Sequence, residues 1–182
     1  MSEAAIKAAI WPQCPDRFDE RGIALLMLML PENTARAEAR NHVREVLLQF
    51  ANRLSLRCEL VETPTGPKFA DPRLSISISY APCRALIGIA AGSKLGVDIV
   101  KIERIEEAAA LCRLYMPKAA TAQGAEISDE AFAQKWAELE ACCKAQELPL
   151  TEIDAQRETA YAACDLLECE QPAGYRIALA VN

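Results

Sequence analysis

The sequence predicts an α+β protein, two similar lobes of a helix plus antiparallel strands packed face to face as a pseudo-dimer. A weak internal repeat carries this reading. A helical segment over 35–54 precedes strands ending in Ala85-Leu86-Ile87-Gly88-Ile89-Ala90. A second helical segment over 129–146 precedes strands ending in Tyr175-Arg176-Ile177-Ala178-Leu179-Ala180. Size is the other observation: in a chain of 182 residues each half is too small to bury its own sheet. The seam divides an N-terminal lobe over 1–95 from a C-terminal lobe over 96–182.

Residues 1–20 hold Pro12 and Pro15 and lack a clear period, a lead-in with room for a short strand. The unbroken apolar run at 22–30 is a buried strand. Pro31-Glu32-Asn33-Thr34 reads as a turn whose threonine caps the next helix. Within 35–54, Val43, Leu47, Leu48, Phe50, Ala51 and Leu54 recur at helical spacing. Arg36, Arg40 and Arg44 form a stripe on the polar side. It is either a solvated face paired with Glu38 and Glu45 or an anion-binding ridge.

A strand over 57–62 and a loop over 63–68 follow. Leu74-Ser75-Ile76-Ser77-Ile78-Ser79 alternates strictly, the period of a strand with one wet face. Another strand covers 85–91, and Gly92-Ser93-Lys94 turns the chain into Leu95-Gly96-Val97-Asp98-Ile99-Val100-Lys101. A helix over 105–115 and a loop over 117–124 come next. Ser128-Asp129-Glu130 supplies a cap and first-turn acids for the helix over 129–146. Strands near 161–168 and 175–181 end the chain.

With 52% apolar and 25% charged residues, the composition is that of a folded domain and excludes a disordered one. No apolar run approaches the ~20 residues of a membrane-spanning helix. The first residues lack the apolar core of a signal peptide, so the expectation is a cytoplasmic protein with no membrane partner. The eight cysteines include no C-x-x-C pair and His42 is the sole histidine, which argues against zinc and for small buried thiols. Net charge is −6, unevenly divided: residues 1–95 carry 12 basic and 10 acidic side chains, residues 96–182 carry 8 and 16. An acidic whole argues against nucleic-acid binding. A basic half facing an acidic half suits a compact anion held between them.

The chemistry gathers around Asp98. On a strand rich in β-branched residues it stands where an apolar side chain is expected, so it is either exposed at an edge or met by a partner. Glu140 and Lys144 share one face of the helix over 129–146, and Trp136 extends that ridge. The bland alternative is an exposed ion pair of little energetic weight. An acid from a strand and an acid from a helix can share one Mg²⁺, with a lysine one turn on to meet a phosphate. That is equipment for displacement at a pyrophosphate.

Gly96-Val97-Asp98-Ile99 with Trp136-Ala137-Glu138-Leu139-Glu140-Ala141-Cys142-Cys143-Lys144 resembles the paired motifs of the 4′-phosphopantetheinyl transferase superfamily. The run over 96–105 is similar to the opening of the small holo-acyl-carrier-protein synthases. The two-lobed length and the final Gly174-Tyr175-Arg176-Ile177-Ala178-Leu179-Ala180 are similar to the surfactin-synthetase-activating type.

The resemblance implies Mg²⁺-dependent transfer of 4′-phosphopantetheine from coenzyme A to a serine of an acyl or peptidyl carrier protein, releasing adenosine 3′,5′-bisphosphate. Asp98 and Glu140 are the implied Mg²⁺ ligands, Glu140 also helping to deprotonate the serine, and Lys144 meets phosphate. Implied coenzyme A contacts are Ser79, Tyr80, Lys68 in Gly66-Pro67-Lys68, Lys144, and Arg40 at the 3′-phosphate, with Arg36 or Arg44 as alternatives. A two-lobed chain completes this site as a monomer. Lys101, Arg104, Arg113 and Lys118 are positioned to guide an acidic carrier protein.

Four departures stand out. Tyr80 replaces a histidine, Val100 stands where the two-lobed type often has a third acid, Leu139 replaces a common lysine, and Gln146-Glu147 replaces a glycine-bearing turn. They keep an alternative open, a diverged non-catalytic member that binds a carrier protein or other partner.

Overall fold

In the computed structural model, described for residues 5–56, 59–64, 66–116, 127–152 and 155–182, helices and sheets mix in an α+β arrangement. At its centre β2 (Ile23–Met29) pairs antiparallel with β6 (Arg84–Ala91), and β6 with β5 (Leu74–Ala81). The short β1 (Ala9–Ile10) adds parallel to the far side of β2, giving the order β1-β2-β6-β5. Both faces of this sheet are buried, which is why β2 and β6 read as continuous apolar runs. Ala24, Leu26, Leu28, Ala85, Ile87 and Ile89 face α1 (Arg36–Arg53). Ile23, Leu25, Met27, Leu86 and Ala90 face the other way, onto a second sheet.

That second sheet has the order β7-β9-β8, from β7 (Leu95–Lys101), β9 (Tyr175–Val181) and β8 (Asp165–Leu167). Leu95, Val97, Ile99, Ile177 and Leu179 point at the first sheet. The intervening Ala178 and Ala180 meet Ala137, Ala141, Cys142 and Ala145 of α3 (Asp129–Ala145). The layers therefore run α1, sheet, sheet, α3. Small residues line the last interface, so α3 lies close on β7 and β9. A short α2 (Ala108–Tyr115) packs Cys112 against Phe132 and Leu139 of α3.

Several expectations change against this fold. Thr34 does not cap α1: the cap position is Ala35, and the Thr34 hydroxyl donates to the Pro31 carbonyl at 2.7 Å. Leu48 is exposed while Val46 takes its place in the core. The loop over 63–68 is half strand, because β3 (Leu60–Thr63) and β4 (Gly66–Phe69) form a two-stranded hairpin. The strand near 161–168 begins late, since α4 (Ala155–Ala162) occupies its first residues. By contrast, Ser128 caps α3 as expected, its hydroxyl accepting from the Ala131 N–H at 3.2 Å. Lys118, the loop over 117–124 and the opening of the strand at 57–58 lie outside the described residues. No helix among the described residues is long and apolar enough to cross a membrane.

Candidate active site

Gly96 sets the geometry. A Cβ there would lie 1.9 Å from the Ala141 carbonyl oxygen and 2.5 Å from the Ala145 amide nitrogen. Only glycine lets the backbone of α3 settle on β7 at this distance. Two residues on, with the same face of the strand turned to the helix, comes Asp98. It is 3% exposed, so of the two readings open from the sequence, a buried acid with partners is the one realised.

Asp98 Oδ1 accepts from the Lys144 ammonium at 2.6 Å and from the Ser79 hydroxyl at 2.6 Å. Among the described residues no donor reaches Oδ2, and no buried polar side-chain atom lacks a partner. Oδ2 therefore opens into the cleft that Asp98 lines.

Ser79 belongs to a ladder that the alternating pattern disguised. The Ser75, Ser77 and Ser79 hydroxyls accept from the Leu95, Val97 and Ile99 N–H groups at 2.9, 2.9 and 3.3 Å. Ser77 and Ser79 are buried, so the face expected to be wet is the joint between the two sheets. Each hydroxyl takes an amide of β7 that would otherwise be buried without an acceptor.

Glu140 and Lys144 stand on one face of α3, each with a side chain 30% exposed, and their closest atoms are 3.6 Å apart. This is not the solvated pair that spacing alone allows. Burial, then repulsion from Asp98, raises the Glu140 carboxyl above the ordinary 4.5; Lys144 and a 2.9 Å hydrogen bond from Trp136 Nε1 oppose the rise. Trp136 is itself fixed, stacked on Phe132 and met edge-on by Tyr115, both with centroids 5.6 Å away.

The cleft over these groups holds about 400 Å³. Its polar end is Ser79, Asp98 and Glu140; its apolar wall includes Ile105, Leu111, Phe132 and Trp136. Val100 and Tyr80 also line it. Burial raises the Tyr80 hydroxyl, and the nearby charges of Arg40, Arg44 and Arg36 oppose that shift. The arginine stripe thus lies beside the cleft. Of its two readings, the pairing with Glu38 and Glu45 does not occur: Arg44 pairs with Glu62 of β3, with 2.7 Å between Nη2 and Oε2. Arg36 and Arg40 form no ion pair among the described residues.

Lys68 is not brought onto the acid pair. Its ammonium meets the Glu147 carboxylate at 2.7 Å, and Lys94 reaches the other oxygen of that carboxylate at 3.2 Å. Those two lysines hold Glu147 below the usual carboxylate range. Glu147 has φ +55°, the left-handed conformation a glycine favours at the end of a helix.

Among the described residues, no group of three or more His, Cys, Asp or Glu side chains is arranged to hold a metal ion. The donor set facing the cleft is two carboxylates, all oxygen, already arranged about a positive charge. That suits a hard divalent cation, which uses one or two protein carboxylates and completes its shell with water and substrate oxygens. No protein-family model matches the chain and no curated protein does.

Proposed function

We propose that this protein transfers 4′-phosphopantetheine from coenzyme A to a carrier-protein serine, with Mg²⁺ held by Asp98 and Glu140. One observation carries the reading: Asp98, Ser79 and Glu140, from three elements, converge at the polar end of one cleft, with Lys144 against both acids. The motif resemblance selected these four residues on other grounds. The finer architecture belongs to the same proposal: lobes over 1–95 and 96–182, α1 on the first sheet answering α3 on the second, and the site at their joint. A cytoplasmic setting fits the absence of a disulfide at Cys14, Cys83, Cys112, Cys142, Cys143, Cys164 and Cys169.

The ion, when bound, supplies positive charge that polarises the pyrophosphate and favours loss of the bisphosphate. The chain's own residues do the rest. Lys144 offers a donor to phosphate oxygens. Glu140, whose pKa is raised by burial, is a better proton acceptor than an ordinary carboxylate and takes the proton of the attacking serine hydroxyl. Ser79 fixes Asp98. The exposed Arg36 and Arg40 beside Tyr80 receive the 3′-phosphate, and the apolar wall of Ile105, Leu111 and Trp136 lies against the pantetheine chain. The serine oxygen–phosphorus bond forms as the pyrophosphate bond breaks, and adenosine 3′,5′-bisphosphate leaves.

The second reading, a member that binds a carrier protein without transfer, draws on one observation: Glu147 occupies Lys68, a proposed coenzyme A contact. Mass spectrometry of apo carrier proteins incubated with coenzyme A and Mg²⁺ separates the two. Transfer that Glu140→Gln abolishes is the expected result. A carrier that binds without gaining mass, across acyl and peptidyl types, would favour the second reading.

A further inference from the structure

The Lys144 ammonium makes the contacts a small cation would make. It lies 2.6 Å from Asp98 Oδ1, 3.6 Å from Glu140 Oε2 and 3.2 Å from the Val97 carbonyl. Lys101 is committed to Glu103 at 3.0 Å, Lys68 and Lys94 are committed to Glu147, and Arg36 and Arg40, on the Tyr80 side of the cleft, form no ion pair with either acid. Asp98 and Glu140 therefore share one internal counter-ion. A divalent ion added beside it would place like charges a few ångströms apart, so ion and ammonium compete for the same oxygens. The lysine stem is flexible and its charge compact, and the side chain is 30% exposed, so packing does not lock the ammonium in place.

We propose that Lys144 is the resident counter-ion of the Asp98–Glu140 pair, giving it up to a divalent cation when a phosphate draws the ammonium away. Cation and phosphate then load together, and the coupling is reciprocal: what one adds to the other's affinity, the other returns. This rests on the proposed Mg²⁺ and coenzyme A site. It adds a role for Lys144 before substrate arrives: it keeps the buried Asp98 charge paired and holds the site closed to free metal.

The test is a Mn²⁺ titration of the full chain followed by electron paramagnetic resonance, with and without coenzyme A, corrected for Mn²⁺ bound by coenzyme A alone. Wild type is expected to bind free Mn²⁺ weakly and to gain strongly from coenzyme A. Lys144→Met should bind free Mn²⁺ about tenfold tighter or more, with a smaller gain from coenzyme A. Lys94→Met, which removes a lysine paired with Glu147, should leave Mn²⁺ affinity unchanged. If Lys144→Met does not fold, Lys144→Gln serves, because its amide can still donate to Asp98. Equal free-Mn²⁺ affinity in wild type and Lys144→Met, with Mn²⁺–coenzyme A still bound by wild type, overturns the inference and leaves the proposed function standing. Equal tightening in the Lys94 and Lys144 variants also overturns it. No Mn²⁺ binding to any form, with or without coenzyme A, overturns both.

Discussion

Gly96→Ala tests how the site is built. The new Cβ would lie 1.9 Å from the Ala141 carbonyl oxygen, where ordinary contact begins near 3.4 Å. The obstacle is backbone on both sides, so no rotamer change relieves it, and α3 must retreat from β7 by about 1.5 Å. Overpacking of this kind costs about 1–3 kcal/mol. The same retreat lengthens the 2.6 Å Lys144–Asp98 contact, and weakening a buried charge pair adds to the loss. A total of about 3 kcal/mol, at a urea dependence of about 2 kcal/mol per molar, lowers the unfolding midpoint by about 1.5 M. Urea denaturation followed by circular dichroism measures it. A midpoint within about 0.3 M of wild type would refute the claim that glycine holds the helix on the strand.

Three further outcomes follow from the same geometry. Ser77→Ala leaves the buried Val97 N–H without its 2.9 Å acceptor and should cost about 1–3 kcal/mol; an unchanged melting temperature would contradict the serine ladder. Glu140→Gln should be no less stable than wild type at neutral pH. Because the folded state raises this carboxyl above 4.5, folded protein binds a proton the unfolded chain has released just above that pH. Its contribution to stability therefore falls as pH rises through that window, and the variant should lose this segment of the pH–stability curve; an identical curve would refute the shift. Reversing Lys101 and Arg104 to glutamate should raise the carrier-protein KM and leave coenzyme A binding unchanged, and an unchanged KM would remove them from the docking surface.

Much of the fold was legible because burial writes itself into period. The two-sided burial of β2 and β6 produces apolar runs, and the helical repeat of α1 marks its inner face. The boundary errors have local causes. Thr34 turned its hydroxyl back to Pro31, and the β3–β4 hairpin was hidden by a proline and glycine that usually signal a loop. The serine alternation misled in a deeper way. A polar face on a strand reads as solvent, and nothing local says that another strand's amides will meet it.

At the site, Asp98, Glu140 and Lys144 were legible because a carboxylate on an apolar strand and an i,i+4 pair beside a tryptophan are each conspicuous. The sequence could not say that the lysine bridges both acids, which depends on the contact Gly96 permits. The pairing of Lys68 and Lys94 with Glu147 was not legible, because it spans 79 and 53 residues. Leu139 makes sense only in the fold, buried against α2 where a lysine would lose its solvent.

The central claim is that this cleft binds coenzyme A through a divalent cation. Titration calorimetry of the full chain with coenzyme A, in the presence and absence of Mg²⁺, addresses it directly. Micromolar binding that requires Mg²⁺ and disappears in Asp98→Asn is the predicted result. No heat at millimolar coenzyme A, or binding indifferent to both Mg²⁺ and Asp98, would contradict it.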